Sequence, residues 1–242
     1  KDFSGYDVVF HAAGIAHIKE TKENEDLYYK VNRDLAFKVA QKAKIEGVKQ
    51  FIFLSSMSVY GKEIGVIDKN TPVKPKSNYG KSKLQAEELL RPLGSDEYKI
   101  AIIRPPMIYG EGCKGNYRRL VKLALNIPVF PCIENKRSMI FIDNICEFVR
   151  LLIEDLSWGL FFPQNKEYVC TTEMVREISE VYGKKIIFTK LFNPFLKLLK
   201  ISILNKIFGD LYYDKEITRY KKNYCLNDFK SSILETEKGA SK

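Results

Sequence analysis

The sequence has 242 residues, 45% of them hydrophobic and 29% charged, a balance that excludes a disordered or collagen-like chain and leaves enough apolar side chain for a core. Lys and Arg outnumber Asp and Glu by 40 to 30, a formal net charge of +10. No dense basic block with interleaved aromatics accompanies that charge, so nucleic acid is not the expected partner, whereas a diphosphate-bearing small molecule needs only two or three cations.

Asp7–Gly14 predicts a short buried strand that ends in small residues. Over Asn24–Glu46 the apolar positions Leu27, Val31, Leu35, Val39 and Ala43 are spaced four apart, which predicts an amphipathic helix, with Gly47 in the place of a C-cap. Gln50–Leu54 is an apolar run of the kind a parallel strand covered on both faces requires. Residues 61–78 hold Gly61, Gly65, Pro72 and Pro75 among polar residues and read as a loop. Tyr79–Leu93 predicts a helix that stops near Pro92 and Gly94, and Lys99–Ile103 a buried strand halted by Pro105 and Pro106. Asn116–Asn126 reads as a short helix, Met139–Ile142 as a strand and Asn144–Glu154 as the helix after it. Strands alternating with helices predict βα units and a parallel sheet, the α/β class. Beyond about residue 156 the regularity weakens. Thr172–Tyr182 predicts a helix with a Thr cap and Glu173 in its first turn. Residues 194–208 read as a Leu/Ile/Phe-rich helix carrying Lys197, Lys200 and Lys206; such a helix can lie on a membrane surface, but its apolar face is read here as packing in the domain.

The constellation that carries chemistry is Ser55-Ser56-Met57-Ser58-Val59-Tyr60-Gly61 followed by Tyr79-Gly80-Lys81-Ser82-Lys83. The first lies just after a strand, where α/β sheets bind ligands at the carboxyl ends. The second places Tyr79 and Lys83 four apart, on one helix face. A lysine ammonium beside a phenol stabilises the phenolate and draws its pKa down from about 10. The phenol can then take a proton from a carbinol while a Ser hydroxyl holds the same oxygen, chemistry that oxidises an alcohol to a ketone if a hydride acceptor sits opposite. Tyr and Lys at that spacing are common on helix surfaces; the conjunction of apolar strand, SSxSVYG, proline-bearing loop, YGKSK, helix, strand and RPP is specific.

On those motifs the sequence resembles the extended short-chain dehydrogenase/reductases, and within them the NAD-dependent epimerase/dehydratase branch that includes UDP-hexose 4-epimerases. The resemblance runs from Asp7 to Phe162 and more loosely to Phe229. It implies a Rossmann-like doubly wound parallel sheet over residues 1–106 and 137–155, with a smaller α/β nucleotide-sugar domain over 107–136 and 156–242. It implies Tyr79 as base, Ser56 as the partner that orients the oxygen, and Lys83 as cation and ribose anchor. It further implies cofactor contacts from Ala12, Ala13, Gly14, Asn32, Ser55, Tyr79, Lys83 and Pro106, and substrate contacts from Ser56, Ser58, Tyr79, Asn116 and Arg137. Arg suits diphosphate through paired charge-assisted bonds. The plainer readings, a helix-surface amide for Asn32 and a solvated loop cation for Arg137, stay open at this level. The implied cofactor is NAD, with NADP left open, and a homodimer is the assembly family members commonly form.

Gly110-Glu-Gly-Cys-Lys-Gly115 fits GxGxxG, with Glu134 some distance on. We set it aside because Pro105, Pro106 and further residues separate it from its strand, so the tight strand-to-helix turn is missing. The dinucleotide fingerprint is expected before Asp7, where only six residues stand and the first is Lys1, not Met. On this reading the chain lacks the first two or three strands of the nucleotide-binding sheet, and as written neither binds cofactor well nor turns over.

His11 and His17 have no carboxylate at ligand spacing and read as structural or pocket-lining. The cysteines at 113, 132, 146, 170 and 225 are scattered, odd in number and free of CxxC pairs, so neither a disulfide framework nor a metal site is expected, and Cys113 has no His partner for nucleophilic work. No run reaches the ~18 apolar residues of a spanning helix, and no signal-peptide pattern opens the chain; a cytoplasmic protein without stable membrane insertion is expected. Three functions follow. The first is C4 epimerisation of a UDP-sugar through a 4-keto intermediate; the second is NAD(P)H-dependent reduction of a 4-keto sugar with the same triad; the third, from another class, is a non-catalytic nucleotide-sugar binder, for which a retained base has no use. Dehydration needs an acidic pair after the Ser, where Met57 and Ser58 stand.

Overall fold

A computed structural model of the chain describes residues 2–16, 18, 20–191, 193–194 and 202–238. His17 and residues 195–201 of the predicted 194–208 helix lie outside the described residues, and Ser202–Phe208 is helical as expected. Four parallel strands make the central sheet in the order β1-β2-β4-β8: β1 Val8–His11, β2 Gln50–Leu54, β4 Lys99–Ile103 and β8 Gly159–Phe161. The period-two alternation of strand side chains sorts their residues onto two faces. Phe51, Phe53, Ile100 and Ile102 face α2 (Leu35–Ile45) and α3 (Asn78–Leu90), while Ile52, Ala101 and Ile103 face α5 (Ile142–Glu154) through Phe148 and Leu152. Both faces of β2 and β4 are thus buried, which is why their sequences are nearly unbroken apolar runs. β1 is different: Phe10 is 42% exposed, because among the described residues nothing pairs with its outer edge.

The helix predicted over Asn24–Glu46 is a relay of α1 (Glu25–Tyr28), a π-helical turn (Tyr29–Asp34) and α2. Its buried stripe is Tyr28, Asn32, Ala36, Ala40 and Ala43, while Leu27 and Leu35 are exposed, so the expected Leu27–Ala43 face is rotated by about one residue. The packing partner explains the shift. Small alanines let α2 approach Phe51, Phe53 and α3 closely, a role in which leucines would overfill the gap.

A third cluster gathers Tyr109, Tyr117, Phe130, Phe141, Met174, Ile178 and Ile233. It is built from α4 (Asn116–Asn126), α6 (Thr171–Val181) and α8 (Phe229–Lys238), with β5 (Met107–Tyr109) paired to β7 (Met139–Phe141) and β6 (Val129–Pro131) to β9 (Ile187–Thr189). Between α6 and α8 lies α7 (Ser202–Phe208), of which Phe208 joins the cluster. The residue 61–78 loop contains a strand that its glycines and prolines hid: β3 (Gly65–Ile67) pairs in parallel with β10 (Leu211–Tyr213), 146 residues away in register at Gly65 and Leu211. The set-aside glycine segment follows β5, outside the central sheet, and a Cβ on Gly110 would lie 2.4 Å from Ile142 Cγ2.

Candidate active site

At the carboxyl end of β2 the ladder continues one residue, Ser55 N–H donating to the Ile103 carbonyl at 2.7 Å, and the chain then turns into a 3₁₀ segment, Met57–Tyr60. Ser56 is extended and caps that turn, its Oγ accepting from Ser58 N–H at 3.1 Å and meeting Ser58 Oγ at 3.1 Å. Gly61 ends the turn in the left-handed region at φ 61°, and a Cβ there would stand 2.1 Å from the Lys74 carbonyl oxygen. Ser77 caps α3 by accepting from Gly80 N–H at 3.1 Å. Gly80 lets the helix press on the turn, since its Cβ would sit 2.7 Å from the Ser58 carbonyl oxygen. That backbone contact brings Tyr79 to Ser56.

Tyr79 is half-buried, and the two hydroxyls act on each other. Burial raises the phenol above its ordinary value while the Ser56 hydroxyl, as hydrogen-bond partner, pulls it back. The direction departs from the acidified phenol expected of a neighbouring lysine. The reason lies in where Lys83 points: its Nζ donates to the Leu54 carbonyl at 2.8 Å and stands 4.7 Å from the centre of the Phe53 ring. Burial lowers the Lys83 pKa to about 8, opposed by Glu87. The ammonium is therefore held at the end of β2, one helical turn from Tyr79, and poorly solvated.

Gly14 and Asn32 share that corner. A Cβ on Gly14 would lie 3.0 Å from Asn32 Oδ1 and 3.1 Å from Lys83 Nζ. Asn32 is no surface amide. It is fully buried, accepts from Ile15 N–H at 2.8 Å, and donates to the Ile15 carbonyl and to Ser82 Oγ, each at 3.1 Å. Its bonds tie Ile15, at the end of the residue 12–15 turn, to Ser82 of α3, so it holds the turn in place. Ala12, Ala13 and Gly14 are left exposed, a shelf of small residues beside a lysine. Such a shelf fits a dinucleotide, because backbone approach needs the missing side chains and the ammonium suits a ribose hydroxyl. His11, buried under the shelf and stacked on Phe51 and Phe53, has its pKa lowered to about 4 by burial and then by Lys83; it is neutral near pH 7.

One turn beyond Lys83, Glu87 is fully buried, a residue that the motifs in the sequence do not single out. Arg104 reaches it with Nε at 2.9 and 3.2 Å and Nη2 at 2.6 Å, and also donates to the Tyr60 hydroxyl at 2.9 Å. Ser55 Oγ donates to the same carboxylate at 2.5 Å. The Ser55 hydroxyl is thus turned into the core and engaged there. A second missed carboxylate is Glu20, which accepts from Asn78 N–H at 3.0 Å and Tyr79 N–H at 3.2 Å and so fastens the loop after the shelf to the first turn of α3.

Pro106 is buried behind the Pro105 carbonyl, which accepts from Met57 N–H at 2.9 Å. Asn116 is exposed on the first turn of α4, and Arg137 bridges to Val169 and Leu211 while donating to the Gly209 carbonyl at 2.9 Å. Burial lowers the Arg137 pKa and Asp210 opposes the shift. These two belong with the third cluster, and the contacts that assemble Ser56, Ser58 and Tyr79 do not involve them. Among the described residues no group of His, Cys, Asp or Glu could hold a metal ion.

Residues 1–159 match the family described as the NAD dependent epimerase/dehydratase family. The sequence is 32% identical over 237 residues to a UDP-glucose 4-epimerase of Vibrio cholerae, an overlap covering 88% of this chain and 70% of that protein. It is also 32% identical to the N-acetyl-alpha-D-glucosaminyl-diphospho-ditrans,octacis-undecaprenol 4-epimerase of Escherichia coli O157:H7, over 96% of this chain and 72% of that protein. In fold it matches a UDP-glucuronic acid 4-epimerase from Bacillus cereus solved in complex with NAD, at a TM-score of 0.76 and 19% identity, over all of this chain and 77% of the other.

Proposed function

The chain belongs to the NAD dependent epimerase/dehydratase family, and from that premise we propose that its site inverts C4 of a UDP-sugar. The observation that carries the reading is the Ser56–Tyr79 hydroxyl pair, set beside an exposed small-residue shelf and a buried lysine. Ala12, Ala13 and Gly14 would hold NAD, which when bound would supply hydride-transfer chemistry at C4. The chain's own residues do the rest. Tyr79 receives the proton of the 4-hydroxyl, and Ser56 holds the same oxygen, so the carbinol carbon becomes a ketone as its proton and hydride leave in different directions. Tyr79 starts above its ordinary pKa, so it must be made acidic when the site fills. A ribose hydroxyl competing for the Lys83 ammonium would draw it off the Leu54 carbonyl, and a closed site strengthens its field on the phenol. We place diphosphate recognition on Arg137 and Asn116, with Ser58 beside the reacting oxygen.

The relatives named above support epimerisation over reduction, and Met57 and Ser58 give dehydration no carboxyl pair. The five free thiols fit a reducing compartment, and we place the protein in the cytoplasm. A homodimer through the helical face that exposes Leu27 and Leu35 is the assembly we favour.

The test is to follow UDP-glucose and UDP-N-acetylglucosamine by NMR with NAD and the intact parent protein that carries this chain. Redox-neutral appearance of the C4 epimer is the expected result, and Tyr79→Phe should lower kcat by about 10²–10⁴-fold with little change in KM. Stoichiometric consumption of NADH with a 4-keto sugar, and no epimer, would establish the reductase instead.

A further inference from the structure

Glu87 and Arg104 are a charge pair set among apolar side chains, 0% and 4% exposed. Ala86 and Leu90, beside Glu87 along α3, belong to one apolar cluster; Tyr60 and Tyr213, which bond to Arg104, belong to another. A buried ion pair is a poor source of stability, since desolvation offsets the attraction and apolar residues of similar volume commonly replace it without loss. What apolar residues could not supply is the pair's remaining hydrogen bonds. The Glu87 carboxylate accepts from Ser55 Oγ at 2.5 Å. Arg104, with Nε and Nη2 on that carboxylate, sends Nη1 to the Tyr60 hydroxyl at 2.9 Å, its guanidinium lying 5.1 Å from the centre of the Tyr60 ring. Ser55 immediately precedes Ser56, and Tyr60 is the last residue of the Met57–Tyr60 turn. The pair therefore grips both ends of the segment that carries Ser56 and Ser58. The backbone on either side of Arg104 does the same for the main chain: the Ile103 carbonyl accepts from Ser55 N–H at 2.7 Å and the Pro105 carbonyl from Met57 N–H at 2.9 Å. Arg104 is itself fixed by the Tyr213 hydroxyl, which donates to its carbonyl at 2.9 Å, and Arg91, at the surface, adds a contact to Glu87 at 3.2 Å.

We propose that Glu87 and Arg104 are positioning residues for the reaction, a clamp that registers the Ser56 turn against the helix carrying Tyr79 and Lys83. Tyr79, Lys83 and Glu87 follow one another at four-residue steps on one face of α3, so a turn tied to Glu87 is tied to the frame of the phenol. The Gly80–Ser58 contact sets how closely helix and turn approach. The clamp sets the turn's orientation about that contact, because it holds one point before Ser56 and another after Ser58. A guanidinium is what this geometry requires: its separate nitrogens serve a carboxylate and a phenol at once, which a single ammonium does not. The inference rests on the epimerase reading for the reaction it serves, whereas the position of Ser56 against Tyr79 can be read without turnover.

Substitution of Glu87 or Arg104 alone would strand a buried charge and endanger folding, so the clamp is best cut at its two neutral ends. Ser55→Ala and Tyr60→Phe are combined in the intact parent protein that carries this chain. Tyr98→Phe is the comparison. It removes another buried hydroxyl bond, to the Ala40 carbonyl at 2.7 Å, just before β4 and so at the opposite end of the sheet from Ser56. The double variant should lower kcat at least about tenfold with KM within about twofold of the parent's. In its crystal structure the Ser56 hydroxyl should be displaced from the Tyr79 hydroxyl by more than about 0.5 Å. Tyr98→Phe should lower Tm by about 2–4 °C and leave kcat within about twofold, separating loss of a buried bond from loss of position. The proposal is overturned if the double variant keeps kcat within about twofold of the parent's, if Tyr98→Phe costs as much turnover as the double variant does, or if Ser56 and Tyr79 keep their separation in the double variant's crystals. Should the parent turn over no UDP-sugar, the epimerase reading fails and the crystal structures alone decide the clamp, displacement upholding it and an unchanged separation overturning it.

Discussion

Lys83 is the residue at which function and stability pull apart. Its ammonium is desolvated at the end of β2, with a carbonyl and the face of the Phe53 ring for company, and its pKa falls to about 8. In the unfolded chain a lysine titrates near 10.4. Near pH 7 both states are charged, and the folded state carries the cost of a buried charge; between about pH 8 and 10.4 the unfolded state binds more protons, so stability rises with pH there. Lys83→Met should therefore abolish turnover and yet raise Tm at pH 7 by about 2–4 °C for each kcal/mol relieved. The gain over wild type should shrink as pH approaches 10. Calorimetry at pH 7 and 9.5 checks both parts, and a lower Tm at pH 7 would show that the Leu54 bond outweighs the desolvation. The sequence made this residue legible through its spacing from Tyr79, but not its direction. A four-residue interval fixes a helix face, whereas the choice between phenol and carbonyl is settled by three-dimensional neighbours. The same limit applies to Ser55 and Glu87. Their pairing spans a strand end and a helix, and its decisive third member, Arg104, comes from just past the end of β4.

At the scale of elements, the site is the meeting of a turn and a helix, and Gly80 is where they meet. A Cβ there would fall 2.7 Å from the Ser58 carbonyl oxygen, and main chain cannot rotate away as a side chain can. Gly80→Ala should cost about 1–3 kcal/mol of overpacking, read as a lower denaturation midpoint. Because displacement of about 1 Å at a reacting group can cost 10²-fold, kcat should fall by more than the stability loss explains. Gly14→Ala is milder, its closest neighbours at 3.0 and 3.1 Å being side-chain atoms. Strands β2 and β4 and helices α3, α4 and α5 were readable because both their burial and their limits are written in local sequence: apolar runs, a serine cap, prolines. β3 and β10 were not. Each is three residues long and made regular by a partner far along the chain, information that no window of sequence contains. The rotated stripe of the α1–α2 relay has a similar cause, since the partner selected alanines over the leucines that periodicity favoured.

For the molecule as a whole, large apolar groups show at several places among the described residues, among them the outer face of β6 and β9 and the α1–α2 relay, where Leu27 is 43% and Leu35 41% exposed. Isolated exposed leucines are ordinary, but these two lie eight residues apart along one helical relay. If a homodimer forms there, Leu27→Glu with Leu35→Glu should convert it to monomer in sedimentation velocity at micromolar concentration, leaving the Ser56–Tyr79 geometry intact. A parent chain already monomeric under those conditions would end that assignment. The class of the fold was legible from alternation alone, and the reaction from one conjunction of motifs. The division of labour between the central sheet and the cluster around Tyr109 was less so, because the chain leaves the sheet after Ile103 and returns to it at Gly159, and only tertiary pairing reveals the return.

The touch between Gly80 and the Ser58 carbonyl has one more implication. It makes the spacing of the two reacting hydroxyls a property of main chain against main chain, largely indifferent to the path of residues 62–73, whose return at Lys74–Lys76 packs on Gly61 and Gly80. Evolution is then free to rewrite that excursion, lengthening it or reshaping what it presents to a sugar, while the proton-transfer geometry passes unchanged from one specificity to the next.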